Sequence, residues 1–297
     1  MDKAKMERIA SLQNRIQDVF RGSTGYSGER VLFLAQAEKA HFEKMFSQSP
    51  GYAILMDAFF DLTYQTLQEA NLHNPSPEPF HSALFLATFW RFRSSYNIFW
   101  QGYYYDAASH LRAIFENIFN FGALLNGYIT KQQLFEGPQE DLSLKTDQQK
   151  ARLIYKHFEN ISRTVKSNMI GRDSGLSEDD QKRLSIVIGT NLHSHVHRAE
   201  SNQFSIYLRL VKEQEPVSIL PEINANQANH FMVMSIFAGW AVTRLLPFLS
   251  QPNLFSQQWL ERYKTLDDAF AIFVSDYAPE SGRAFERFIH SKLKFGN

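Results

Sequence analysis

Residues 83–100 read ALFLATFWRFRSSYNIFW, and their periodicity decides the fold. Phe85, Phe89, Phe92, Tyr96 and Phe99 recur at i, i+4, i+7, i+11 and i+14, one face of an α-helix. Leu86, Trp90 and Trp100 fall on another face. A helix that is apolar on more than one side is surrounded by others, so this one is expected at the centre of a bundle. An aromatic stripe at this spacing is read as core and not as a cofactor box.

Working outward, clusters of Gly, Pro, Ser and Asp punctuate the chain at 22–29, 73–79, 136–147, 171–180, 221–227, 250–253 and 278–283. The segments between them predict helices at 3–20, 29–48, 52–72, 80–101, 104–130, 147–168, 177–198, 226–249, 256–275 and 281–293. Pro79 suits a first helical turn, and Ser177 with Asp180 three residues on has the form of a capping box. One stretch departs from the helical period. Phe204, Ile206, Leu208 and Leu210 alternate with Ser205, Tyr207 and Arg209, and PVSIL follows at 216–220, which predicts a small β-hairpin or irregular insertion near 203–220. No repeat and no long polar linker divides the chain. The expectation is an all-α, multi-helix bundle forming a single domain over 1–297.

Composition narrows the chemistry. Of 297 residues 44% are hydrophobic, which supplies a large core. Acidic and basic residues balance at 31 each, whereas proteins that grip duplex DNA through its phosphates usually carry a basic excess. There is no cysteine, which removes disulfides, thiolate metal sites and cysteine nucleophiles. The first twenty residues are charged throughout, without the apolar segment of a secretory signal. Residues 83–100 carry Arg91 and Arg93, and 231–249 (FMVMSIFAGWAVTRLLPFL) are interrupted by Arg244 and Pro247. Both are read as buried helices and not as membrane spans, so the expectation is a soluble, cytoplasmic protein without a membrane partner.

The nucleotide-binding and nucleophile-elbow motifs G-x-G-x-x-G and G-x-S-x-G, the P-loop and H-E-x-x-H are absent. Two E-x-x-H matches occur, Glu38 to His41 and Glu78 to His81. Paired motifs of this kind hold two metals in ferritin-like bundles, but two matches are about what composition supplies, and neither a metal nor another cofactor is expected. Residues 191–200 place His193, His195 and His197 within five positions. On a helix His193 and His197 share a face, near enough to share a metal or a phosphate; alternatively they satisfy the carbonyls of a helix end. In the segment 102–127, Tyr105, Ser109, Arg112, Glu116 and Asn120 form one polar line between apolar flanks. That line is either the wet face of an amphipathic helix or a buried stripe in which Arg112 pairs with Glu116.

The sequence Ala108-Ser-His-Leu-Arg112-Ala-Ile-Phe-Glu116, after Gly102, together with the step His195-Val-His197, resembles the HEPN-like and abortive-infection-related helical families of bacteria. The resemblance implies a helical fold and a defence or toxin–antitoxin setting. Ribonucleases of that group carry Arg-x(4–6)-His at a dimer interface; here Arg152 to His157 and Arg283 to His290 have the spacing, with Leu153 and Ala284 in place of the polar residue that often follows the arginine.

The expected function is that of a non-enzymatic or regulatory protein working through an oligomer or protein-partner surface. The alternatives are a metal-independent ribonuclease acting on RNA, with His193 or His197 as acid/base and Arg112 as phosphate clamp, and a small-ligand site in an aromatic-lined cavity. The candidate site is Arg112 and Glu116 meeting a histidine of the 193–197 cluster.

Overall fold

The computed structural model describes residues 29–73, 79–138, 145–186, 188, 225–250 and 255–293, together with Glu7 and Ser11. Among them the chain is an all-α multi-helix bundle, 87% helical and without strands. The helices are α1 (Glu29–Gln48), α2 (Pro50–His73), α3 (Pro79–Trp100), α4 (Tyr104–Leu125), α5 (Lys131–Phe135), α6 (Asp147–Met169), α7 (Glu178–Leu184), α8 (Ala225–Thr243), α9 (Gln257–Tyr277) and α10 (Pro279–Lys292). Short 3₁₀ turns follow α6 and α8. The predicted helix at 3–20 and the insertion at 203–220 lie outside the described residues.

The aromatic stripe of α3 is where its spacing puts it: Phe85, Phe89, Phe92 and Phe99 are buried. Its second apolar face is not uniform. Trp100 is buried, Leu86 is half-buried, and Trp90 stands 64% exposed, so α3 is covered on one broad side only. The link to α4 is Gln101-Gly102-Tyr103. Gly102 adopts φ 98°, a left-handed conformation that glycine enters freely, and this folds α4 back along α3. Ser95 Oγ ties the pair by donating to the Ala107 carbonyl at 2.7 Å.

Helix α8 is the centre, packing against α2, α3, α4, α9 and α10. Phe231, Met234, Phe237, Trp240, Ala241 and Leu245 are all buried. Asn226–Leu249 is long and apolar enough by composition to cross a membrane, and 78% of its 18-residue apolar stretch is buried against its neighbours. Gly239 lets α2 and α3 close on it: a Cβ there would lie 2.5 Å from Phe59 Cδ2 and 3.0 Å from Phe92 Cζ. Trp240 stacks on Phe270 of α9 at 4.0 Å, and Phe231 on Phe99 of α3 at 4.0 Å. Buried hydroxyls are satisfied locally or across helices. Thr63 and Thr88 donate to carbonyls four residues back, and Tyr52 shares a 2.7 Å bond with Ser235.

Several helix ends differ from expectation, and the α-helix expected over 177–198 closes at Leu184. The helix read as 104–130 stops at Leu125, because Gly127 turns left-handed (φ 68°) and Asn126 Nδ2 donates to the carbonyls of Gly122 and Lys292. A capping box of Thr130 and Gln133 then opens α5, and another of Thr146 and Gln149 opens α6. The last helical turn expected before 249 is 3₁₀, with Pro247 in it. Finally, Ser177 caps α7 in one direction only. Its Oγ accepts from the Asp180 N–H, while the Asp180 carboxylate turns to Arg287 of α10, Oδ2 at 2.9 Å from Nε and Oδ1 at 2.5 Å from Nη2.

Candidate functional site

The polar line of α4 lies along the border between its buried face and solvent. Tyr105, Ser109, Arg112 and Asn120 are half-buried and Glu116 is exposed, so it is neither a fully wet face nor a buried stripe. Tyr105 accepts from Gln227 of α8, and Ser109 donates to the Asp106 carbonyl. Arg112 Nε donates to Glu116 Oε1 at 2.9 Å, with the two side chains 31% and 57% exposed. The pair expected from i, i+4 spacing therefore forms, and it engages one guanidinium nitrogen.

Arg112, Glu116 and Asn120 stand on one wall of a groove of about 770 Å³ between α4 and α6. Its floor is apolar: Phe119, Leu134, Phe158, Ile161, Val165 and Ile188. Ser162 and Lys166 line the α6 side. Lys166 makes no ion pair among the described residues, so the groove carries two cationic heads against one carboxylate. The apolar surface continues past the rim. Phe158 is 44% exposed, and Ile154, one turn before it on α6, is exposed as well.

The sequence explains why the groove is open. Along α6, Ile154, Phe158, Ile161, Val165 and Met169 recur at i, i+4, i+7, i+11 and i+15, an uninterrupted apolar stripe. Only its second half, Ile161, Val165 and Met169, is buried. Met169 closes on α4 at Gly122, where a Cβ would meet its Cε at 2.4 Å. The first half is met by the short helix α5, through His157 and the Gln133 carbonyl, and leaves Ile154 and Phe158 exposed. The site expected from the sequence joins α4 to the 193–197 histidines and leaves α6 out. The α6 stripe is equally legible and supplies half of the floor.

His193, His195 and His197 lie outside the described residues, and so does Gly189; Ile188, five positions before His193, lines the groove. The other flagged residues are engaged elsewhere. His157 Nε2 is 2.7 Å from the Gln133 carbonyl, five residues along α6 from the exposed Arg152. Arg283 Nε donates to the Pro279 carbonyl, and His290 meets Trp240 edge-on at 5.9 Å. Glu38 accepts the Tyr103 hydroxyl, and burial, with Lys44 nearby, holds His41 below the ordinary imidazole range. His81 packs on the Phe121 ring at 5.0 Å, and Glu78 is outside the described residues. No group of three or more metal-ligating side chains exists among the described residues.

Compared with known proteins, the chain matches no protein-family model, no curated protein and no solved structure.

Proposed function

We propose that this chain is a binding protein whose working surface is the α4–α6 groove. Its occupant is an amphipathic helix of a partner protein. The observation that carries the reading is the α6 stripe: an apolar row at helical spacing whose second half is buried in its own bundle and whose first half exposes Ile154 and Phe158. Exposed apolar rows rimmed by polar groups characterise helix-in-groove recognition. Arg112, with donors beyond the one given to Glu116, and the unpaired Lys166 favour an acidic residue on the incoming helix. The resemblance to HEPN-like and abortive-infection proteins suggests a defence or toxin–antitoxin setting.

The test is selection of displayed amphipathic helical peptides on the purified chain. Selected peptides are expected to carry apolar residues at i, i+3/i+4 and i+7 with an acid at one end. Phe158→Asp is expected to abolish their binding, and Arg112→Glu to weaken it by about 10–100-fold. Peptides bound equally by Phe158→Asp would remove the groove from consideration.

A second reading is favoured by Ile188, which lines the same groove as Arg112 and precedes His193 by five positions in the sequence. In that reading the groove takes RNA, with Arg112 on a phosphate and a histidine as acid/base. RNA cleavage lost in His197→Ala with folding intact would establish it. The groove volume also lies within the range of small-ligand sites, about 300–1,000 Å³, and a stoichiometric small molecule in native mass spectra would favour that occupant.

A further inference from the structure

We infer that the outer face of α2 and α3 joins two copies of this chain, so that α2 of each copy lies over α3 of the other. The observation is a segregation of charge on a face that also exposes large apolar side chains. Helix α2 carries acids and no bases, and α3 carries bases and no acids. Of the α2 acids, Glu69 is used within the fold, capping α9 through Ser256. Asp57, Asp61, Arg91 and Arg93 remain exposed, and none of them makes an ion pair among the described residues. Arg93 gives Nη1 to the Tyr64 hydroxyl at 2.6 Å and leaves Asp61 unneutralised. Burial and the neighbouring Asp61 charge hold the Asp57 carboxyl above its ordinary range, as expected of acids crowded without a cation. On the same face Ile54 is 68% and Trp90 64% exposed.

The register makes this face complementary to itself. The helices run antiparallel: Tyr52 meets Tyr96, Phe99 and Trp100, Phe60 meets Phe89 and Phe92, and Tyr64 meets Phe89. Asp61 is therefore level with Arg91, Asp57 lies within a turn of the level of Arg93, and Trp90 within a turn of the level of Tyr64. A two-fold axis parallel to the helices exchanges α2 with α3 at constant height. It sets Asp57 and Asp61 of one copy against Arg93 and Arg91 of the other, and each Trp90 against the other copy's Tyr64. Each of the four unpaired charges of this face then has an opposite across the axis, Arg93 from its centre and Arg91 from its rim, which is the pattern of an isologous contact. Two packed helices about 33 Å long and about 10 Å wide present on the order of 700 Å². A specific interface needs about 800 Å² per partner, so the face is close to the required size. The resulting four-helix layer stands apart from the α4–α6 groove and does not depend on how the groove is used.

The experiment is the mass of the full chain by sedimentation equilibrium. The parent is expected to be dimeric at micromolar concentration. Trp90→Glu is expected to weaken the dimer at least about 100-fold and to leave a folded monomer with the parent's far-UV circular dichroism, because within one chain the side chain is mostly in solvent. The all-acidic variant Arg91→Glu/Arg93→Glu and the all-basic variant Asp57→Arg/Asp61→Arg are each expected to be monomers by like-charge repulsion. Mixed one to one they are expected to recover dimer, which also proves that both fold. A monomeric parent, variants that stay dimeric, or a mixture that stays monomeric overturns the proposal.

Discussion

Two arginines in this molecule face opposite circumstances. Arg244, at the end of the central helix α8, is 14% exposed and enclosed. Its Nη1 donates to the Tyr263 hydroxyl at 2.9 Å, its Nη2 pairs with Asp267, and its guanidinium lies over the Trp240 and Tyr263 rings at 4.8 and 5.2 Å. Asp267 also accepts the Trp240 indole N–H at 2.8 Å. Arg112 instead has one carboxylate partner and an open groove in front of it. A guanidinium whose charge is shared among an acid, a phenol and two rings is committed to the fold. One that spends a single nitrogen on an exposed glutamate is available to a ligand. The helices differ in the same way, since α8 is covered on all sides and α6 on half its apolar stripe.

The sharpest test of the closed region is Trp240→Ala. It removes a buried ring, its stacking on Phe270 and its bond to Asp267, and is expected to cost about 3–5 kcal/mol by chemical denaturation. A variant melting within a degree or two of the parent would show that α8 is not central. Gly239→Ala is expected to cost about 1–3 kcal/mol, since the new methyl meets the Phe59 and Phe92 rings and not a flexible chain end.

Asp180 extends the comparison to pH. Its carboxylate is buried against Arg287, whose hydrogen bonds hold it below the ordinary carboxylate range, with the Ser177 cap and Arg183 adding to the effect. Because the folded-state value is depressed, the stabilisation is fully present above the unfolded value of about 3.9 and is lost as pH falls through the folded one. Arg287→Ala is expected to cost about 1–3 kcal/mol at neutral pH and to flatten the stability slope below about pH 4. An unchanged slope would assign the acid sensitivity to other carboxylates.

How much of this was legible in the sequence depends on what decides each feature. Helix positions were, because apolar periodicity and caps are local: α1 falls at 29–48 as predicted, and α8 is buried as its all-round apolar surface requires. Trp90 was misread because periodicity tells which residues share a face and not whether a neighbour covers it. The Asp180 carboxylate was misassigned to its own helix start because Arg287, 107 residues away, competes for it. The Arg112–Glu116 pair was legible from spacing. The groove in front of it depends on where α6 docks, and only the assembled bundle fixes that.

The smallest expected effect decides what kind of site the groove is. If Arg112 were buried like Arg244, removing Glu116 would strand a charge and cost several kcal/mol. Glu116 is instead 57% exposed, and the guanidinium reaches solvent through the groove. An exposed i, i+4 ion pair contributes about 0.3–0.5 kcal/mol. Glu116→Ala is therefore expected to change stability by no more than about 0.5 kcal/mol, and Arg112→Ala by a similar amount plus the packing of its stem. Binding should respond in the opposite order. Losing Glu116 frees Nε for an incoming acid and tightens an acidic peptide, whereas losing Arg112 weakens it. Denaturation and peptide titration of the two variants side by side measure both. A Glu116→Ala variant destabilised by more than about 2 kcal/mol would move Arg112 into the class of Arg244, a structural cation with nothing left to offer a partner.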